Sequence, residues 1–287
     1  MTEDGRSIDE VNDYYDESYL DYVLVWGTAF HRQMHFGYHD TDSLPRRWLR
    51  FYDAVENVNR VLADETDVGR GDRVLDAGCG VGGSTDWLAR ERSAEAVGVN
   101  LNPRHLDVAR RRSDEAAEFA LMDFTDTGFA DDSFDVVWAI EAAGHADDTS
   151  EFVDEAHRVL RPGGRLAVVD GYLSRPHDEL EGEAARRVEA IASGLAWRNP
   201  DSVDEMESYL RDAGFADVEF EDQYERVRPS ALLLYLTTLF ATPFAWTLER
   251  LGLRTEVQRR NRVAARHQYP ALRDGVVVHG LYTATKP

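Results

Sequence analysis

Two hydrophobic rhythms take turns along this 287-residue chain. Short strand-like stretches, most of them largely apolar, begin at Val74-Leu75 and recur at 94–100, 117–122, 134–140, 165–170, 217–221 and 276–285. Between them apolar residues return every three or four positions. That spacing predicts helices at 49–62, 84–90, 150–160, 181–195 and 202–213, and one more opening at Asn102-Pro103, where proline suits the first turn. Asp131-Asp132-Ser133 and Arg161-Pro162-Gly163-Gly164 supply turns ahead of the fourth and fifth strands. Strand and helix alternate through five strands, which predicts an α/β fold: a doubly wound, mostly parallel sheet with helices on both faces.

Two stretches stand outside this alternation. After a polar start, residues 11–36 place Tyr15, Tyr19, Tyr22, Val25, Trp26 and Phe30 at mixed three- and four-residue intervals, which predicts one or two helices with an aromatic face. His31, His35 and His39 are four apart, but Gly37 breaks the helix between the last two and no nearby carboxylate completes a set, so no metal site is expected. The other stretch is 225–275, within which residues 232–246 carry no charge. Pro243 interrupts that run, which is too short for a comfortable membrane span. A lid over an apolar pocket is the first reading. Shallow insertion at a membrane interface is the second, although that mode favours a basic polar face. The expected organisation is a helical cap at 1–62, a cofactor-binding core at 63–223, a helical lid at 224–275 and a last core strand at 276–287.

The first strand runs into Asp76-Ala77-Gly78-Cys79-Gly80-Val81-Gly82-Gly83-Ser84. Strand, glycine turn and helix present bare backbone N–H groups and a positive helix end to a ligand, and glycine removes the Cβ atoms that would hold it away. The spacing alone fits two ligand classes. Gly78, Gly80 and Gly83 match a dinucleotide fingerprint, whereas Gly78, Gly80 and Gly82 match a turn used for S-adenosylmethionine. Asp76 separates the two, because a carboxylate under the turn suits an amino-acid ammonium and opposes a diphosphate. Asn100, twenty residues beyond Gly80, stands where an acid usually accepts from ribose hydroxyls; its amide oxygen can accept one such bond without charge. Asp123 and Phe124 follow the third strand, at the end where ligands of open sheets collect, and suit an adenine amino group and a base face. A simple turn aspartate is the plainer alternative for Asp123.

Charge narrows the partners. The chain carries −22 at neutral pH with a pI near 4.7, and its acids are spread throughout, so the surface as a whole is acidic. Such a surface repels nucleic acid and anionic lipid, and argues against either as a primary partner. Its self-repulsion is tolerable where salt screens it, so a cytoplasm of high ionic strength is expected. The single cysteine, Cys79, lies in the glycine turn and leaves no internal disulfide. The first twenty residues carry acids in place of a basic start and apolar core, and a cytoplasmic location is expected.

Taken together, the motifs resemble those of S-adenosylmethionine-dependent methyltransferases of the seven-stranded Rossmann-like type. VLDAGCGVGGS (74–84), VGVNLNP (97–103), MDFTDTGFADDSFDVVWAIEAAGHADD (122–148) and RVLRPGGRLAVVD (158–170) carry the resemblance over most of the chain. Within that family the chain is most similar to the branch holding sterol and tocopherol C-methyltransferases, whose relatives methylate sugars or natural products on oxygen. The carriers there are YYDESYLDYVLVWG (14–27), HFGY (35–38), AIEAAGH (139–145) and HGLYTATKP (279–287). The resemblance implies S-adenosylmethionine as cofactor, with Asp76, Gly78 and Gly80 around its methionine part, Asn100 and Leu101 beside the ribose, and Asp123 and Phe124 beside the adenine. It also implies that Tyr15 closes over the cofactor and that Glu141 and His145 face the acceptor. Asn100 departs from the acid that many relatives carry.

The expected reaction is methyl transfer to a small-molecule acceptor. For a hydroxyl acceptor His145 would take the proton; for an alkene or activated ring carbon Glu141 would stabilise a developing cation or remove the proton afterwards. Trp26, Tyr38 and Trp197 would suit a sulfonium or an isoprenoid chain. The uncharged lid favours an apolar acceptor, an isoprenoid lipid or quinone-like ring, ahead of a hydroxylated metabolite. A nicotinamide-dependent oxidoreductase and a non-catalytic cofactor-binding protein are the competing classes.

Overall fold

The computed structural model describes Tyr14, Glu17 and residues 33–40, 51–113 and 116–287. Helix α1 (Phe51–Glu65) leads into β1 (Arg73–Ala77), followed by α2 (Gly83–Trp87), which loosens into a π turn over Leu88–Arg92. Then come β2 (Glu95–Asn100), α3 (Pro103–Arg112), β3 (Ala117–Leu121), β4 (Phe134–Ile140), α4 (Thr149–Val159) and β5 (Leu160–Leu173). The C-terminal part adds α5 (Gly182–Leu195), α6 (Val203–Asp212), β6 (Ala216–Asp222), α7 (Tyr224–Arg250), α8 (Glu256–Arg273) and β7 (Val277–Thr285). The helix starts follow their local chemistry. Asn102 accepts from the backbone N–H groups of Arg104 and His105 at 2.9 and 3.0 Å, and Ser202–Glu205 and Thr255–Gln258 form reciprocal caps.

The seven strands form one sheet in the order β3-β2-β1-β4-β5-β7-β6, parallel except for β7, which runs antiparallel to both neighbours. Alternate residues of the central strands face opposite ways. Val74, Val136, Trp138, Ala167 and Val169 join one core, under α1, α5, α7 and α8, while Leu75, Val137, Ala139, Leu166 and Val168 join the other, with α4 and α6. Burial on both faces explains why these strands read as continuous apolar runs. Chain order reverses between β1 and β4, so a crevice opens above their carboxyl ends, which is the usual ligand position in such sheets.

Several boundaries differ from the sequence reading. The fifth strand takes in residues 161–164 as an irregularity, where its register against β4 shifts and Gly163 has φ +80°, and it extends to Leu173 through antiparallel pairing with β7. The 225–275 stretch is two helices, and α7 continues through Pro243. Proline removes one backbone donor there, at an exposed position, while Thr242 and Thr247 hydroxyls bond the carbonyls of Thr238 and Pro243. At 27 residues, α7 is long and apolar enough to cross a bilayer by length and composition, unlike the shorter uncharged run considered alone. Most of the N-terminal aromatic stretch, with Tyr15, Trp26 and His31, lies outside the described residues. Tyr14 and Glu17 contact α8: Asn261 donates to the Tyr14 hydroxyl at 3.3 Å and Gln258 to the Glu17 carbonyl at 3.1 Å.

Candidate active site

The crevice at the switch point has a volume of about 360 Å³. Asp76, Gly78, Gly80, Asn100, Leu101, Asp123 and Phe124 all line it; Tyr15 lies outside the described residues. Gly78 and Gly80 have φ of +78° and +53°, and a Cβ on Gly78 would fall 2.5 Å from the Ala142 Cβ. Glycine at 78 thus lets the turn pack against Ala142, and at both positions the left-handed backbone favours a residue without a Cβ. Asp76 is buried and accepts from the Thr85 hydroxyl at 2.5 Å; burial pushes its carboxyl up to about 6. A buried carboxylate in that state is relieved by a cation.

At the far end, Asp123 accepts from both the backbone N–H and the hydroxyl of Thr125 at 2.9 Å. It thus forms a local turn and lines the crevice at once. Phe124 sits edge-on to Phe152 with centroids 5.4 Å apart. Asn100 donates through Nδ2 to the Gly80 carbonyl at 3.4 Å, so its Oδ1 is the group left to accept from a ribose hydroxyl. Asp147 and Glu151 also border the crevice, and no lysine or arginine does among the described residues. The donor set fits a cationic cofactor such as S-adenosylmethionine and opposes a dinucleotide diphosphate.

A second cavity, of about 220 Å³, opens between α5, α7, α8 and β7. Its walls are mostly apolar, among them Ile191, Leu195, Trp197, Leu234, Ala265 and Leu272. Met34, Glu141 and His145 line both cavities and mark their junction. Trp197 faces the second cavity, whereas Tyr38 borders neither and is buried with its ring edge-on to His279. His35 lines the cofactor crevice and His39 bonds the Ser230 hydroxyl at 2.9 Å. Among the described residues no group of three metal-ligating side chains converges.

Glu141 caps β4 in a left-handed conformation, φ 48°, which is uncommon outside glycine and asparagine and concentrates at functional sites. Its Oε1 accepts from the Phe36 backbone N–H at 2.9 Å and from His279 Nε2 at 3.0 Å. Burial acts to raise its carboxyl, but the bond and charge of His279, the charge of His35 and the Phe36 amide outweigh burial and hold it below the ordinary range. Asp170, at the end of the parallel part of β5, lines the second cavity and accepts from Gly171 and Gly144 amides at 2.8 and 3.2 Å. Burial, and then the Glu141 charge, push it up to about 6. His145 Nδ1 donates to the Ala196 carbonyl at 2.8 Å, which makes Nε2 the basic nitrogen of the neutral ring. Burial lowers its basicity despite that bond and the Glu141 charge.

His279 and Asp170 were absent from the sequence-derived site. His279 is about 140 residues from its partner along the chain and sits in a strand whose apolar pattern says only that it is buried. A histidine inside an otherwise uncharged terminal strand was the available signal.

Comparison with known proteins agrees with this geometry. A family model described as a methyltransferase domain matches residues 75–168. A methyltransferase of Streptomyces halstedii is 34% identical over 227 residues, covering 77% of this chain and 78% of its own. Tocopherol O-methyltransferase of Arabidopsis thaliana is 26% identical, covering 96% of this chain and 82% of its own. Among solved structures, a cyclopropane synthase of Mycobacterium tuberculosis superposes with a TM-score of 0.80 at 17% identity, covering 97% and 98% of the two chains, a likeness of fold.

Proposed function

The chain belongs to the S-adenosylmethionine-dependent methyltransferases, and from that membership we propose that its acceptor is a small apolar molecule, an isoprenoid lipid or quinone-like ring, methylated on carbon. The observation that carries this reading is the junction: the cofactor crevice and a mostly apolar cavity meet at Met34, Glu141 and His145. Bound S-adenosylmethionine supplies a methyl group already activated as a sulfonium. The chain's own work is alignment, exclusion of water and control of charge. Asp76 and Asp123 hold the two ends of the cofactor, and the backbone at Gly78 and Gly80 admits it closely. Glu141, kept ionised by His279 and the Phe36 amide, faces positive charge developing on an acceptor carbon. Asp170, whose carboxyl lies near 6, is placed in the same cavity to receive a proton from the product.

A second reading, methylation of a hydroxyl, is favoured by His145. Its Nδ1 bond to Ala196 orients the ring and makes Nε2 the basic nitrogen, the one suited to take a hydroxyl proton. The strongly acidic surface supports a working environment of high ionic strength.

Incubation with methyl-labelled S-adenosylmethionine and separated apolar and polar cell extracts tests the proposal. Label entering the apolar fraction, at a carbon in the purified product, supports it. Label entering only polar metabolites defeats the apolar acceptor, and label on oxygen moves the assignment to His145.

A further inference from the structure

Five of the six large apolar side chains exposed among the described residues lie close together in sequence: Phe240, Phe244, Trp246, Leu251 and Leu253, at 85, 70, 50, 66 and 68% exposure. They occupy the last turns of α7 and the turn into α8. The most apolar window of α7 is only 22% buried. Its first half is another matter, since Val227, Ser230, Ala231 and Leu234 are packed inside the fold. The helix is thereby fixed on the protein and presents its apolar C-terminal end outward. A cluster of exposed aromatic and aliphatic groups of this kind marks an interaction surface.

The sequence that carries this cluster is opposite in charge to the chain as a whole. Residues 240–266 contain six arginines and two glutamates, in a protein of net charge −22. Both glutamates are engaged by arginine: Arg262 holds Glu249 through two bonds at 2.8 and 2.9 Å, and Arg259 pairs with Glu256. Arg250 lies over the Trp246 ring at 4.1 Å, and Arg250, Arg259 and Arg260 are exposed. Aromatic rings flanked by arginine are the composition of a segment that sits at a bilayer interface, with rings at headgroup depth and guanidinium groups toward lipid phosphate. Charges beyond about 10 Å are screened at moderate salt, so the hairpin's own arginines act on a nearby anionic surface while distant acids are attenuated, and at higher salt its apolar groups carry the contact. Repulsion of anionic lipid by the chain's net charge therefore does not extend to this face.

The patch is also continuous with the acceptor cavity. Ala241 and Ala245, on the same turns as Phe240 and Phe244, line that cavity, and so does Arg254 beside Leu253. A second copy of the chain is a poor occupant, because a two-fold contact through this surface brings arginines against arginines.

We propose that the tip of the α7–α8 hairpin docks on a bilayer containing anionic lipid, with the acceptor cavity opening beside it. The docking gains its purpose from the apolar-acceptor reading above, so that the acceptor passes from lipid toward Glu141 without crossing water.

Vesicle flotation of the full chain tests it, using phosphatidylglycerol and phosphatidylcholine vesicles at low and molar salt. The comparison variant is Phe240→Ser/Phe244→Ser/Leu253→Ser, none of which lines either cavity. Calorimetric S-adenosylmethionine binding verifies that the variant is folded. The wild type is expected to float with phosphatidylglycerol at least about tenfold better than with phosphatidylcholine, with the preference narrowing as salt rises. The triple variant is expected to lose at least about tenfold of that binding and keep its cofactor affinity. Three results overturn the proposal: no flotation of the wild type, equal flotation of the variant, or a dimer in sedimentation that the variant abolishes. Labelled methyl reaching an apolar acceptor without vesicle binding defeats docking and leaves the acceptor reading standing. Vesicle binding with label confined to polar metabolites does the reverse.

Discussion

His279, on β7, donates to Glu141, at the end of β4, across an intervening strand, with 3.0 Å between Nε2 and Oε1. The bond and the Phe36 amide fix the carboxylate where both cavities meet and keep it ionised. Glu141→Gln is expected to lower kcat by about 10²–10³-fold while calorimetry shows cofactor affinity unchanged. His279→Ala is expected to lower kcat about tenfold, and His279→Gln, which can still donate, to recover part of it. A uniform loss in both histidine variants removes the hydrogen bond as the cause.

Asp76 gives a pH dependence whose sign is fixed. Burial raises its carboxyl from 3.8 to about 6 in the folded protein, so the ionised form is disfavoured there. The resulting loss of stability develops as pH rises from about 4 through about 6 and is complete above it. A bound ammonium relieves that loss. S-adenosylmethionine affinity is therefore expected to fall as pH drops through about 6, and its thermal stabilisation to be larger at pH 8 than at pH 5. Asp76→Asn is expected to weaken binding at least about tenfold and to flatten the profile. An unchanged profile in that variant transfers the titration to Asp170, also near 6.

Gly144 tests the acceptor cavity separately. A Cβ there would come within 2.6 Å of the Trp197 ring. Gly144→Ala is expected to cost about 1–3 kcal/mol of stability by overpacking and to raise the acceptor KM as the indole shifts. Cofactor affinity stays the same if Trp197 serves only the acceptor side, and titration against S-adenosylmethionine measures that.

The acidic surface predicts a salt response. Chemical unfolding in dilute buffer and in molar salt should give a higher midpoint in salt, because screening removes repulsion among 54 acidic residues facing 32 basic ones. Equal midpoints exclude repulsion as a significant destabilising force.

Local and periodic features are legible in the chain alone. The apolar runs and their alternation with helices fix an α/β sheet, and the glycine turn with Asp76, Asn100 and Asp123 lies within reach of chain-order reasoning because strand ends in such sheets collect at one edge. The helical continuation through Pro243 was illegible, since a proline in a helix interior costs about 3 kcal/mol and a local window reads it as a helix end. The tertiary structure decided what depends on neighbours distant in sequence. Folding of the terminal strand beside β5 brings His279 to Glu141 and leaves the carboxylate charged in a buried place. The α7–α8 packing likewise decides which apolar residues wall the cavity and which face outward, because one uncharged run supplies both. Hydrophobic pattern reports that a side chain is apolar; only the packed fold assigns it to an interior or to a surface.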